Sequence, residues 1–393
     1  MKTSKHVLDA SRAKVAMVLN CGSSSVKYQL FQSEQSMIRG SIENIGLDTC
    51  LHKTTSNESI KMSSATYSDA ISAAIKAATD LSFNIDCVGH RVVHGGSTLT
   101  KPTLIHDEVL NEIRDCCKLA PLHNPSNIKG IELAQDMLKS VPQIACFDTA
   151  FHASMPPKAY RYAIPREFAD KHKIRRYGFH GLSYRYIASI VNEKRIIVAH
   201  LGSGCSAAAI VNGISLDTTM GFTPMEGLVM STRSGTIDPG AVLYIANDFM
   251  GDISKVSNFL NKKSGLLGLS GFSQDMKELL AVQHSSDQRS FAATEAVEVF
   301  VYSTQKMIGQ LMAALHYDVE AIVFTGGIGE NSGQTRQMIT EGFRGLEIAL
   351  DPCMNMKPPN SGLISSSSSK IKIYAIKTNE ELQIARDSLA LIE

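Results

Sequence analysis

The chain has 393 residues, more than a single hydrophobic core of roughly 250–300 residues supports, so two domains are expected. Hydrophobic residues make up 44% and charged residues 20%, with 39 Lys+Arg against 38 Asp+Glu. That balance excludes the basic footprint of a nucleic-acid or membrane-surface protein, so any cationic work falls to a local cluster. In chain order, the polar start MKTSKHVLDASRAK lacks the apolar core of a signal peptide, and no later run approaches the roughly 18 apolar residues of a membrane span; a cytoplasmic protein is expected. AMVLNCGSSSVKYQLF (16–31) is an apolar run, a loop of small residues with Lys27 just past it, and a second apolar run: a hairpin. YSDAISAAIKAATDL (67–81) reads as a helix, VGHRVVHGG (88–96) as a strand ending in glycines, and PSNIKGIELAQDMLKSV (125–141) as a helix. RIIVAHLGSGCSAAAIVNG (195–213) repeats the opening hairpin pattern, which suggests a duplicated domain, the spacing being far beyond a solenoid period. DPGAVLYIANDFM (238–250) and RSFAATEAVEVFVYSTQKMIGQLMAAL (289–315) are helical and EAIVFTG (320–326) is a strand. MKPPN and SGLISSSSSK (361–370) read as irregular, exposed chain, and TNEELQIARDSLALIE (378–393) closes as a helix. Alternating strands and helices indicate α/β layers.

The eight cysteines are scattered without a CxxC, and in apolar or glycine-rich contexts they read as reduced structural residues. NCGSSSVK is not a Walker A loop, because Val26 stands where that motif needs a glycine before its lysine. GGIGENSG departs from G-x-G-x-x-G, since Asn331 and Ser332 precede Gly333. What remains is three glycine-rich loops, each after a strand: NCGSSS, HLGSGCS and TGGIGENS. Glycine and serine let a backbone approach an anion closely, and Lys27 adds a point charge. One such loop alone is equally well an ordinary turn; three point to a nucleotide held between two domains.

Polar residues concentrate in GHRVVHGG, PLHNP, FDTAFH, RRYGFHGLSY and MGFTPMEGLVMSTRSGTIDPG, which offer Arg91, His123, Asp148, His180 and Arg233. Arginine grips planar anions through two parallel hydrogen bonds, and an aspartate closing an apolar run suits Mg²⁺. His6, His52, His172, His284 and His316 read as ordinary surface or core histidines, and no Cys/His spacing resembles a zinc site.

These stretches, with LNCGSSSVK, HLGSG, SGLLGLSG, FTGGIGENS and TNEE, resemble the successive signatures of the acetate kinase (acetokinase) family, in that family's order and over almost the whole chain; the first dozen or so residues read as an extension. The resemblance implies the α/β fold of the acetate and sugar kinase, heat-shock chaperone and actin superfamily. That fold has two ribonuclease-H-like domains of duplicated architecture with an interdomain nucleotide cleft. Residues 1–152 plus 381–393 would form the acetate-side domain and 153–380 the nucleotide-binding domain. A homodimer is also implied, with acetate and ATP/ADP as small-molecule partners and Mg²⁺, or alternatively Mn²⁺, as cofactor.

Carried over by position, Asn20 and Glu380 fall where the family holds or waters the metal, and Lys27 at a nucleotide phosphate. Arg91 and Arg233 would flank acetate and the migrating phosphoryl group, Asp148 matches the essential aspartate, His180 and Arg233 the transition-state stabilisers, and His123 a further phosphoryl contact. Val93, Leu122, Phe179 and Pro224 match the pocket for the acetate methyl group. His200, Leu201, Gly202, Ser203 and Gly204, then Asp275, Met276 and Lys277, then Gly327, Ile328, Gly329, Glu330 and Asn331 match the nucleotide segments. The chain departs from the pattern at Ser203 (usually Asn), at Lys277 (usually Arg), and in reading GFHGLSY for GFHGTSH, which introduces Leu182 and Tyr184. Lysine does not reproduce arginine's planar stacking on a base, so nucleotide preference is open.

Acetate is already deprotonated near neutrality, so the nucleophile needs no general base and Asp148 is better placed on the metal or its waters. The obstacle is charge, which Arg91, Arg233, His180, Lys27 and the metal would offset. Propionate kinase is the near alternative, because a methylene in an apolar pocket discriminates by only about 1–3 kcal/mol. An actin-like or chaperone-like ATPase would explain the loops but not the arginines and histidines of the other motifs.

Overall fold

The structure is a computed structural model that describes residues 13–55 and 59–393; His6 and the expected N-terminal extension lie outside the described residues. The chain divides into two compact units, Met1–Phe147 with Glu380–Glu393, and Asp148–Asn379. The division falls after Phe147 rather than after His152, so Asp148 opens the second unit, and Glu380 belongs to the first.

In the first unit, β1 (Val15–Cys21), β2 (Ser25–Gln32) and β3 (Gln35–Glu43) form an antiparallel meander that β4 (Leu51–Thr54) and β5 (Ser59–Lys61) extend. On the other side of β1, β6 (Cys87–Val92) pairs parallel to it, β8 (Gln143–Phe147) pairs parallel to β6, and the two-residue β7 (Thr103–Leu104) closes the edge. β8 is buried at every residue and β1 at all but Asn20, the pattern of strands covered on both faces. Helix α1 (Tyr67–Thr79) starts at a capping box between Thr66 and Asp69. It lays Tyr67, Ala70, Ile71, Ala74, Ile75 and Ala78, an i, i+3, i+4 stripe, into the core built on β1–β3. Helix α2 (Asp107–Asp115) and α3 (Asn124–Met137) follow, the latter with Pro125 in its first turn.

The second unit repeats the plan. β9 (Arg195–Leu201), β10 (Cys205–Val211) and β11 (Ile214–Thr218) are antiparallel, and β12 (Ala321–Thr325) and β13 (Lys372–Ala375) continue in parallel beyond β9. The order β11-β10-β9-β12-β13 matches β3-β2-β1-β6-β8, so both units carry the ribonuclease-H-like sheet and the duplication is visible in the topology. The helices are α4 (Pro157–Tyr160), α5 (Arg166–Lys171), α6 (Gly181–Ile190), α7 (Pro239–Asp248), α8 (Ile253–Lys262), α9 (Gly265–Ser270) and α10 (Met276–Val282). They continue with the long α11 (Ser290–Ala314), then α12 (Gly326–Asn331), α13 (Gly333–Glu341) and α14 (Pro352–Met356). The last helix, α15 (Glu380–Leu389), packs on β6 and β1 of the first unit. It comes close because Gly89 has no side chain: a Cβ there would lie 2.5 Å from Ile384 Cγ2 and from Ser388 Oγ.

Three sequence expectations need correction. The third glycine-rich stretch is a loop only at its edges, because Gly326–Asn331 is helical. The serine-rich stretch is not wholly exposed: Ile364 is buried, and Leu363 and Ser365 bridge to Tyr374 and Leu350. Met356 ends a helix instead of starting irregular chain. The cysteines are free thiols, six of them buried, and among the described residues no helix is long and apolar enough to cross a membrane.

Candidate active site

The first unit's candidates follow from register. Asn20 pairs with Lys27 across the β1–β2 hairpin, which puts both on one face of the sheet. Leu19 pairs with His90, so the next residues, Asn20 and Arg91, share the opposite face from that pair. Arg91 Nη1 lies 3.6 Å from Glu380 Oε2 at the first turn of α15. Two expected roles, acetate contact and metal ligand, are therefore joined in one ion pair. Lys27 is exposed, Leu122 exposed, and Val93 and His123 half-buried, with His123 at the N-cap of α3.

Two asparagines absent from the sequence reading hold this geometry. Asn127 Nδ2 donates to the Cys21 carbonyl (2.7 Å), and its Oδ1 accepts from the Val93 N–H (3.1 Å). Asn124 bonds both the N–H and the carbonyl of His94. They lie on one face of α3, three residues apart, and that spacing of buried polar side chains is the signal by which they were findable. The hairpin tip itself is closed: Tyr67 Oη donates to the Gly22 carbonyl (2.8 Å), and Gly22 N–H to the Ser25 carbonyl (2.8 Å). Burial pushes the Cys21 thiol up to about 12, so it packs as a neutral group.

In the second unit, Asp148 is buried just past β8, and its carbonyl accepts from Gly181 N–H (2.9 Å). Only glycine permits that approach, since a Cβ at 181 would stand 2.2 Å from the same oxygen. His180 immediately before it sits in the left-handed region (φ 57°), where non-glycine residues are uncommon and cluster at functional sites. His152 fixes the preceding carbonyl: its Nε2–H donates to Phe179 O (3.0 Å), so Nδ1 accepts from Ser215 Oγ (2.7 Å), and burial lowers its pKa to about 4. Phe179 is fully buried.

His180 Nδ1 bonds Ser206 Oγ (2.8 Å), which also bonds Tyr184 Oη. The His180 ring stacks on His200 (4.3 Å, 23°), which is held in turn by Ser183 Oγ (2.9 Å). Both histidines stand beside the β9–β10 hairpin. A Cβ on Gly204 at its tip would lie 3.4 Å from His180 Nε2 and 3.7 Å from Arg233 Nη1, so the missing side chain leaves a shared space in front of both groups. Arg233 is half-buried, and burial depresses its pKa. Its Nη1 donates to the Pro224 carbonyl (3.0 Å), and among the described residues no carboxylate pairs with it. The loop bearing Pro224 is set by Glu226, which accepts from Arg176 Nη2 (2.7 Å) and from Tyr162 Oη.

The same hairpin borders a cavity of about 820 Å³. It brings together Gly202, Ser203, Asp275, Met276, Lys277, Gly327, Ile328 and Asn331, along with Ser231, Gln274 and Gln334, which sequence reasoning missed. Leu201 is fully buried and offers backbone only. Glu330 Oε1 accepts from Gly326 N–H (3.0 Å) and Thr378 N–H (3.1 Å), so its side chain braces the start of α12. Another missed residue, Arg336, is buried and donates to the carbonyls of Gly329 (2.8 Å) and Glu330 (2.9 Å); burial lowers its pKa to about 10. It satisfies the last carbonyls of α12 and so fixes one wall of the cavity.

A divalent metal suits the donor chemistry. In the first unit Asn20 and Glu380 offer hard oxygens, while among the described residues no three His, Cys, Asp or Glu cluster into an all-protein cage. That is the setting of an ion held by one or two carboxylates, waters and substrate phosphates.

Duplicated ribonuclease-H-like sheets, a glycine hairpin opening on a mixed cavity and an arginine that no carboxylate pairs among the described residues suit a nucleotide-dependent phosphotransferase. The chain belongs to the acetokinase family, whose profile matches residues 15–386. It is 42% identical to the acetate kinase of Lachnoclostridium phytofermentans, covering 96% of this chain and 99% of that one. It is 44% identical to the acetate kinase of Thermoanaerobacterium thermosaccharolyticum, covering 96% and 98%. Among solved structures, a propionate kinase from Francisella tularensis superposes with a TM-score of 0.90 at 39% identity, covering 96% of this chain and 99% of that one. The Porphyromonas gingivalis acetate kinase superposes at 0.88 and 36%, covering 97% and 100%.

Proposed function

We propose that this chain is an acetate kinase that transfers the terminal phosphoryl group of ATP directly and reversibly to acetate, giving acetyl phosphate and ADP. The observation that carries the chemistry is Arg233: a cation drawn out of water, anchored by a carbonyl, with no carboxylate partner among the described residues, and facing the same space as His180 Nε2. A desolvated guanidinium in that state is complementary to an incoming anion. Acetate brings its own negative charge, so no residue removes a proton. The residues instead offset repulsion and fix geometry, which is where phosphoryl-transfer catalysis resides.

Arg91 steadies the carboxylate of acetate or the moving phosphoryl group, His123 and His180 donate N–H bonds to it, and Lys27 neutralises nucleotide phosphate. Val93, Leu122, Phe179 and Pro224 form the methyl pocket. The cavity beside Ser203, Lys277 and Asn331 takes the nucleotide base and ribose, with His200 and the Gly202–Gly204 and Gly327–Glu330 backbones near the phosphates. Mg²⁺, held by Asn20, Glu380 and the waters around Asp148, would neutralise charge on the phosphates when bound. The deciding experiment is trapping acyl phosphate as its hydroxamate with acetate, ATP and Mg²⁺. ATP hydrolysis without trapped product would refute the assignment. The Francisella propionate kinase likeness makes propionate the second substrate to measure, by kcat/KM for both acids.

A cytoplasmic homodimer completes the proposal. Helix α7 is apolar yet buries none of its residues, and Leu243 and Tyr244 on it, with Met250 and Ile253 just beyond, are exposed. Such a face suits an interface between copies. Light scattering at a monomeric mass would exclude it.

A further inference from the structure

Where the sequence departs from the family pattern in GFHGLSY, the structure shows what the departure does. Tyr184 is fully buried on the first turn of α6, stacked on Phe151 (6.5 Å) and edge-on to His152 (5.5 Å). Its Oη meets Ser206 Oγ, and the same oxygen meets His180 Nδ1 at 2.8 Å. Ser206 reaches this position because it pairs with His200 across β9 and β10, and His200 carries the His180 ring on its face.

We propose that Tyr184 is a positioning residue that, through the Ser206 hydroxyl, fixes the His180 tautomer with its proton on Nε2. A phenol is a better donor than an aliphatic hydroxyl, so Tyr184 donates to Ser206 Oγ. The single serine hydrogen then goes to His180 Nδ1, and each bond polarises the next. With Nδ1 accepting, the ring's one hydrogen is on Nε2, the atom facing the space at Gly204 that it shares with Arg233 Nη1. His180 then serves as an aimed N–H donor to phosphoryl oxygen beside a fixed cation. The Ser183–His200 bond (2.9 Å) and the Ser183–Thr378 bond (2.8 Å) hold the other ring of the stack, so the pair is fixed from both sides.

The catalytic part of this inference rests on the proposed role of His180; the tautomer part does not. The test combines nitrogen-15 NMR of histidine-labelled full-length protein, the His180 signals being assigned by their loss in His180→Ala, with steady-state kinetics. In the parent protein His180 Nδ1 should read as an unprotonated acceptor. Tyr184→Phe, which keeps the packing, should shift that signal toward mixed tautomers and lower kcat about tenfold, leaving KM for acetate and for ATP within about twofold. Ser206→Ala should protonate Nδ1 and lower kcat further, and it decides the matter if Tyr184→Phe does not fold. An unchanged Nδ1 signal in the folded variants would overturn the proposal, even if their melting temperatures fall. Ordinary kcat in folded His180→Ala would overturn the catalytic reading of His180 instead and leave the tautomer result standing.

Discussion

The two hairpins at the heads of the two sheets are built alike and finished differently. In the first unit the β1–β2 tip is sealed by Tyr67, Ser25 and Asn127, and the polar side chains stand on the strands beside it, Asn20 and Lys27. In the second unit the β9–β10 tip is bordered by His180, His200 and Arg233 and opens on the large cavity. One scaffold was duplicated; one copy keeps its hairpin as a frame for strand-borne groups, and the other makes the hairpin itself part of a cavity wall.

The contrast breaks first at the arginines. Arg233→Ala and Arg91→Ala should each lower kcat by at least about 10²–10³-fold in protein that stays folded, as loss of one preorganised donor does. Ordinary turnover in both, measured by hydroxamate formation, would refute their assignment. Asp148→Asn should raise the Mg²⁺ concentration needed for half-maximal rate severely, and near-normal turnover at the same Mg²⁺ would count against its place beside the metal. Gly204→Ala puts a methyl group 3.4 Å from His180 Nε2 and should cost about tenfold in kcat. Tyr67→Phe, at the equivalent hairpin of the first unit, should leave kcat alone and cost about 1 kcal/mol of stability, read by denaturant unfolding.

Acid separates the units more gently. Burial lowers His90, His94 and His152 to about 4 from an ordinary 6.5, so between those values the unfolded chain binds protons that the folded one refuses. Stability should be full above pH 6.5, fall progressively toward pH 4, and level off below. Two of the three lie in the first unit, so its amides should lose hydrogen-exchange protection sooner as pH drops.

Much of the fold is written in the order of apolar and polar residues. Both hairpins, the long helix at 289–315 and the closing helix at 378–393 follow from apolar runs and their periods. β4, β5, β7 and β13, at two to four residues each, were too short to carry a period; they lie at or next to a sheet edge and exist because a neighbour offers pairing. The candidate site was legible where arginine, histidine and glycine stand in strings. It was illegible where it depends on register: Ser206 sits in CSAAA and reads as a small core residue until its pairing with His200 places it against His180. Arg336 was invisible for the same reason: its partners, the carbonyls of Gly329 and Glu330 and the side-chain oxygen of Asn355, are brought near only by folding.

The first unit is written in two instalments. Its sheet is complete by Phe147, yet the helix that covers β6 and supplies Glu380 to Arg91 comes last, tied in further by Arg386 to Glu34 (2.8 Å) and by Lys14 to the carbonyl of Ile392 (2.8 Å). On the ribosome the second unit therefore has its whole sequence first. The earliest-made part of the protein must wait, with one flank of its sheet bare, until residues 380–393 emerge; truncation before Glu380 would leave it unfinished.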